Sequence, residues 1–132
     1  MNRIYLDNAA TTPMDKAVVS LMTEMMENQF GNPSSIHADG RGVRTKVEEA
    51  RKTVAKLLNT SPSEIFFTSG GTEADNMAIR CTINDLGIKH AITTSIEHHA
   101  VVHTLEELAQ EGLIKLSFVQ LDEKGSIDML HL

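Results

Sequence analysis

The sequence has one cysteine, no tryptophan and one tyrosine, and aromatic residues make up only 4% of its 132 residues. Because Cys81 is alone, no internal disulfide can form, which is typical of a reducing compartment. No apolar run approaches the ~20 residues needed to cross a bilayer. Residues 1–6 also lack the apolar core of a secretory signal. We therefore expect a cytoplasmic protein with no membrane association.

Positive charge is scarce as well. The chain carries 12 Lys and Arg residues against 18 Asp and Glu residues, a formal net charge of -6, and the basic residues form no cluster. Binding to a nucleic-acid backbone requires a basic patch. The sequence therefore predicts no nucleic-acid partner.

Hydrophobic periodicity predicts strands that alternate with helices. The strands are predicted at 4–6, 65–68, 90–94 and 115–119, and the helices at 15–28, 43–58, 73–86 and 100–110, with a last helix starting at 126. The methionines of the first helix are predicted to be core residues, since Met fills irregular apolar gaps. Alternation of this kind is typical of a parallel α/β architecture.

A glycine-rich turn is the most informative local feature. Gly70, Gly71 and Thr72 follow a predicted strand and open a predicted helix. Without two β-carbons the backbone N–H groups can approach an anion closely, and the helix dipole adds attraction. The pattern predicts a phosphate cradle, and it lacks the residues of a P-loop or a dinucleotide fingerprint. The alternative is a plain glycine turn in which Thr72 is the N-cap.

His98 follows the next predicted strand. In a parallel sheet the residues beyond the strand ends lie on the ligand-binding edge, so His98 and the cradle are expected to face one pocket. An imidazole there can stack on a flat heteroaromatic ring or move a proton. The alternative is a histidine with a purely structural role in a loop or core.

Two further histidines, His99 and His103, have the i, i+4 spacing of a zinc pair. No third or fourth ligand forms a motif with them, and Cys81 lies on the apolar stripe of another predicted helix, where it is expected to be a packing residue. We predict no metal site.

Four stretches together resemble the cysteine desulfurases of the NifS/IscS branch of the class-V aminotransferase-like enzymes that use pyridoxal 5'-phosphate. They are residues 5–12 (YLDNAATT), 31–37 (GNPSSIH), 67–76 (FTSGGTEADN) and 94–101 (TSIEHHAV). Their order and spacing match the N-terminal third of those enzymes.

The resemblance implies an α/β fold of the pyridoxal-phosphate-dependent transferase fold type I, a mostly parallel seven-stranded sheet flanked by helices, incomplete in this chain. Residues 1–14 would associate with the small domain, and residues 15–132 would form the first part of the large cofactor-binding domain. In that arrangement the strand at 65–68 does not pair with the strand at 90–94, and apolar faces and strand edges stay open.

The resemblance also implies roles for particular residues. Gly70, Gly71 and Thr72 would hold the phosphate of pyridoxal 5'-phosphate, while His98 would stack on its ring and assist proton transfer. A third set would line or border the substrate entrance: Asn8, Ala9, Ala10, Thr11, Asn32 and His37.

The implied reaction converts L-cysteine to L-alanine and leaves the sulfur as an enzyme-bound persulfide, for transfer to an acceptor protein in iron–sulfur cluster or thio-cofactor synthesis. The resemblance implies a homodimer. None of the seven lysines lies in the Ser-x-His-Lys context of the family's Schiff-base lysine, and the context of the persulfide cysteine is also absent. We therefore expect the remainder of the enzyme to come from the same gene or a second chain, and this chain to be inactive alone. The alternatives are a selenocysteine lyase or aminotransferase of the same class, or a noncatalytic truncated fragment.

Overall fold

The computed structural model describes residues 4–132. Residues 1–3, which begin the predicted N-terminal segment 1–14, lie outside the described part. The chain divides into two compact units, residues 1–66 and residues 67–132. No described helix is long and apolar enough to span a membrane.

The first unit contains two helices, α1 (Lys16–Asn28) and α2 (Ala38–Leu57), and a single 3-10 turn at Pro62–Glu64. Helix α1 begins as predicted because the Asp15 carboxylate accepts the Ala17 N–H at 2.7 Å. Helix α2 begins earlier than its apolar pattern predicts.

The apolar side of α1 is exposed, so the prediction that its methionines are core residues is wrong. The helix has no buried residue, and Met22 and Met26 face solvent. An amphipathic helix buries its apolar side only where another element covers it. Among the described residues of this unit no element covers this side of α1.

The second unit contains helix α3 (Gly71–Leu86), strand β1 (His90–Thr93), helix α4 (His99–Gln110) and strand β2 (Lys115–Phe118). Strands β1 and β2 pair in parallel, with His90 opposite Lys115 and Thr93 opposite Phe118. Since α4 connects the two strands, this is a β–α–β unit. The predicted parallel α/β architecture is confirmed here, with element ends within about two residues of those predicted.

The core of the second unit lies where α3 and α4 meet the sheet. Leu108 of α4 is only 1% exposed and packs with Ile83 of α3, Leu105 and Ile114. Helix α3 ends at Gly87, which adopts the left-handed conformation (φ 66°) that glycine accepts without strain. The predicted end of this helix at residue 86 is confirmed.

The strands predicted at 4–6 and 65–68 are not formed. Within residues 4–132 the sheet contains only β1 and β2, and Phe66, expected in a buried strand, is 65% exposed. An extended segment becomes a strand only when a neighbour takes its backbone hydrogen bonds.

The helix predicted to start at 126 is also wrong. Ile127 instead forms an antiparallel bridge with Leu121. Asp128, two residues beyond the predicted start, accepts the Leu130 N–H at 2.9 Å and opens a single turn.

We predict that Leu108→Ala lowers the free energy of unfolding of this unit by about 2–5 kcal/mol, because it leaves a cavity in the core. The matched control is Leu86→Ala at the exposed end of α3, where the side chain is 73% exposed. Urea unfolding followed by circular dichroism measures both. Equal losses in the two variants would show that Leu108 is not the centre of this core.

Candidate cofactor-binding site

The N-terminus of α3 is open. Its first intrahelical hydrogen bond runs from the Ala74 N–H to the Gly70 carbonyl at 3.1 Å, so the N–H groups of Gly71, Thr72 and Glu73 precede the helical ladder. No side chain caps the helix, and Gly70 is the N-cap residue. The alternative interpretation, in which Thr72 is the N-cap, is therefore wrong, since Thr72 lies in the first turn.

The two glycines leave free space beside these N–H groups. A β-carbon placed on Gly70 or Gly71 would meet no atom within 4 Å. Packing within the chain therefore does not require glycine at either position. An anion approaching the backbone does, because side chains there would stand in its way. The residues present suit a phosphate group.

The carboxylate of Glu73 holds the loop before the helix. One of its oxygens accepts the Ser69 N–H at 2.6 Å and the Ser69 hydroxyl at 2.7 Å. The backbone hydrogen bond first, and the hydroxyl second, lower the pKa of Glu73 below its ordinary value of 4.5. We call this pair of hydrogen bonds between Ser69 and the Glu73 carboxylate the clamp. The clamp uses the Ser69 N–H and leaves the three N–H groups at the helix end for a ligand.

His98 is the N-cap of α4. Its Nδ1 accepts the Ala100 N–H at 3.1 Å. A backbone N–H can only donate, so Nδ1 carries no hydrogen and the neutral ring bears its proton on Nε2. The cap thus fixes both the tautomer and the ring orientation.

Thr72 and His98 line the same open pocket of 340 Å³. The other lining residues are Asn76, His99, Ala100, His103, Thr104 and Glu107. The structure therefore brings together one residue from each of the two sequence motifs. Gly70 and Gly71 do not line this pocket, although Gly71 adjoins Thr72 in the same helical turn.

The rings of His99 and His103 stack with centroids 4.9 Å apart. In residues 4–132 no three His, Cys, Asp or Glu side chains are grouped so that they could hold a metal ion. Cys81 is exposed, so the prediction that it packs within an apolar stripe is wrong. A helix stripe becomes core only where it faces the sheet or another helix, and Cys81 does neither.

The predicted substrate-entrance residues lie in the first unit. In the stretch 31–37, the Asn32 side chain accepts the Ser34 N–H at 2.8 Å, and His37 is the N-cap of α2. Gly40 is required by a close approach, since a β-carbon there would lie 2.5 Å from the Asn32 carbonyl oxygen. The Gly31-Asn32 turn therefore packs directly on the first turn of α2.

The stretch 8–11 forms an exposed turn. The N–H groups of Ala10 and Thr11 donate to the Asp7 carbonyl, and the hydroxyls of Thr11 and Tyr5 are 2.8 Å apart. The Asn8 side chain donates to the Tyr5 carbonyl at 3.3 Å, and Ala9 lies within the turn. Both entrance stretches are shaped by local hydrogen bonds, and their role toward a substrate stays a prediction.

Sequence reasoning missed two residues of the pocket wall, Asn76 and Thr104. They hydrogen-bond to each other across α3 and α4 at 2.9 Å. Asn76 ends the stretch 67–76 quoted above, but no role was assigned to it, and its i+4 spacing from Thr72 places it one turn beyond a predicted site residue. Thr104 carries no comparable signal in the sequence.

The class-V aminotransferase family model matches residues 4–132. The chain therefore belongs to the class-V aminotransferase family. It is 50% identical over 130 residues to the putative cysteine desulfurase IscS 1 of Bacillus subtilis, covering 96% of this chain and 34% of that protein. It is 46% identical to the cysteine desulfurase IscS of Dictyoglomus turgidum, with 95% of this chain and 32% of that protein covered.

Solved structures agree. The fold superposes on a NifS-like protein with a TM-score of 0.87 and 38% identity, over 98% of this chain and 36% of that one. A cysteine desulfurase from Thermococcus onnurineus matches with a TM-score of 0.82 and 30% identity, over 97% of this chain and 32% of that one. The resemblance to the NifS/IscS branch is confirmed. The chain spans about a third of the length of the curated relatives it matches.

We predict that Ser69→Ala raises the pKa of Glu73 part of the way toward 4.5, because the hydroxyl hydrogen bond is lost while the Ser69 N–H remains. A lowered pKa means that the clamp stabilises the fold above pH 4.5 and loses this effect as pH falls through the lowered value. A carboxyl ¹³C NMR titration measures the change. The control is Ser63→Ala, and an unchanged Glu73 titration in Ser69→Ala would contradict the clamp.

Proposed function

We propose that this chain forms the phosphate-binding end of the active site in a pyridoxal-phosphate-dependent cysteine desulfurase. The observation that supports this best is that Thr72 and His98, from two separate motifs, line one pocket beside the open N-terminus of α3. The names of the similar proteins support the proposed reaction class, and this pocket supports the proposed location of the cofactor site.

In this proposal the N–H groups of Gly71, Thr72 and Glu73, with the Thr72 hydroxyl and the preceding Gly70, hold the phosphate of pyridoxal 5'-phosphate. His98 lies against the flat ring and moves protons through Nε2, because Nδ1 is engaged by the cap. When bound, the cofactor withdraws electron density from an amino-acid substrate.

L-cysteine is the proposed substrate, with L-alanine and a persulfide sulfur as products. A similar solved structure, that of SspA in complex with cysteine, supports this choice with a TM-score of 0.75 and 32% identity. The entrance residues Asn8, Ala9, Ala10, Thr11, Asn32 and His37 would border its path. The sulfur would pass to an acceptor protein for iron–sulfur cluster or thio-cofactor synthesis in the cytoplasm.

The Schiff-base lysine and persulfide cysteine are proposed to come from the remainder of the enzyme, in a homodimer. The exposed apolar side of α1 supports a further part of the fold that covers it. Residues 1–14 would then belong to the small domain and residues 15–132 to the large one. Another class-V enzyme, such as a selenocysteine lyase or aminotransferase, is the alternative that L-cysteine turnover tests.

We predict that the isolated chain with pyridoxal phosphate and L-cysteine releases no sulfide and shows no absorbance band of a lysine-bound cofactor, because no lysine lies in the family's context. Mixed with a chain carrying the remaining two thirds, it should yield sulfide and alanine. A keto acid without sulfide from the mixture would favour an aminotransferase, and sulfide from the chain alone would contradict the assignment of the catalytic groups elsewhere.

A second prediction tests the cradle itself. Thr72→Val removes a hydroxyl at nearly constant shape and should weaken pyridoxal phosphate binding roughly 10- to 100-fold, the usual effect of losing a hydrogen bond to a charged group. The control is Thr82→Val, an exposed position on the same helix. Calorimetric titration with pyridoxal phosphate and with pyridoxal compares the two ligands. The Thr72→Val effect should vanish for pyridoxal, and equal binding by both variants would refute the cradle.

A further inference from the structure

Asn76 links the two helices that carry Thr72 and His98. Its side-chain nitrogen donates to the Thr72 carbonyl at 2.9 Å, and its side-chain oxygen lies 2.9 Å from the Thr104 hydroxyl of α4. Asn76 is half-buried in the pocket wall, whereas Thr104 is buried, at 4% exposure. The Thr104 end of the contact is therefore shielded from water, and the Asn76 end borders the open pocket.

The direction of this link is set by chemistry. A carbonyl can only accept, so the Asn76 nitrogen must face Thr72, and its oxygen must then face Thr104. The Thr104 hydroxyl has one hydrogen, which lies between the Asn76 oxygen and the Ala100 carbonyl at 2.7 Å. The amide of Asn76 is thus held in one orientation by partners on both helices.

The link ends at the two site residues. On α3 it reaches the carbonyl of Thr72, in the turn that carries the open N–H groups. On α4 it reaches Ala100, whose N–H donates to Nδ1 of His98. Arg80, which forms an ion pair with Glu107 across the same two helices, adds a longer contact of 3.4 Å to the Asn76 oxygen.

We infer that Asn76, acting with Thr104, is a positioning residue that sets the spacing between the phosphate cradle at Thr72 and the imidazole of His98. This inference rests on the proposed function, because the spacing matters only if a ligand binds to Thr72 and His98 together. Asn76 makes its side-chain hydrogen bonds to the chain itself, at Thr72 and Thr104. It acts through the carbonyl of Thr72 and, by way of Thr104, through the cap at His98.

Two matched pairs of variants test the link. Thr104→Val keeps the shape and removes the hydroxyl, whereas Thr104→Ser keeps the hydroxyl. Asn76→Ala removes the amide, whereas Asn84→Ala makes the same change at an exposed position of α3. We expect Asn76→Ala and Thr104→Val each to weaken binding of pyridoxal phosphate roughly 2- to 10-fold, as for the loss of one hydrogen bond. Thr104→Ser and Asn84→Ala should stay within about twofold of the unmodified chain.

The double variant Asn76→Ala with Thr104→Val distinguishes one link from two independent effects. If both substitutions break the same link, the double variant should bind pyridoxal phosphate about as tightly, within about twofold, as the single variant with the lower affinity. If the fold-loss of affinity in the double variant equals the product of the fold-losses in the two single variants, the link is refuted. If Asn76→Ala loses its helical circular dichroism signal, the comparison of Thr104→Val with Thr104→Ser alone tests the link.

An NMR readout separates this inference from the proposed function. In the chain without ligand, Asn76→Ala should shift the amide resonance of Ala100 on the other helix, and Thr104→Val should shift that of Thr72. If the unmodified chain fails to bind pyridoxal phosphate, the proposed function is refuted. The resonance shifts in the ligand-free chain still test whether Asn76 links the two helices. If the ligand binds but neither cross-helix shift appears, the link is refuted and the proposed function stands.

Discussion

The burial of Leu108 is the contact on which the second unit depends. Leu108 of α4 shares one buried cluster with Ile83 of α3, and Ala91 of β1 and Leu116 of β2 pack against that cluster. Once α4 is fixed, its N-terminus lies beyond the carboxyl end of β1, which puts His98 at the edge where parallel sheets bind ligands. The same contact holds α3 alongside α4, so the open helix end at Thr72 faces the same pocket. The site geometry is thus a consequence of core packing.

The hydrogen bonds of Glu73 leave the first-turn N–H groups of α3 open although a carboxylate lies in the same turn. Glu73 satisfies the Ser69 N–H and hydroxyl, while the three N–H groups of the first turn remain available. A carboxylate near a helix N-terminus is stabilised by the dipole, and so is a phosphate. Two anions at one helix end repel each other, however. The clamp limits this because it directs the Glu73 oxygen toward the loop before the helix.

Helices α1, α3 and α4 begin and end within about two residues of their predicted bounds because their signals are local, whereas α2 begins five residues early and the helix predicted at 126 is not formed. Asp15 capping α1 and Gly87 ending α3 each act within one turn. The strands at 4–6 and 65–68 failed for the opposite reason, since pairing requires a neighbour that local sequence does not reveal. The exposure of the α1 methionines has the same cause. Of the candidate site, the glycine turn that opens α3 and the position of His98 after β1 followed from local patterns, whereas the contact of Asn76 with Thr104 depends on how α3 packs on α4, which no local pattern specifies.

The cap at His98 also restricts what this histidine can do chemically. Because Nδ1 accepts the Ala100 N–H, that nitrogen is not available to a ligand while the cap is made. Nε2 and the face of the ring are the parts of His98 that remain open to a ligand. This geometry therefore allows His98 to stack on a flat group or to hydrogen-bond through Nε2, while Nδ1 holds the start of α4.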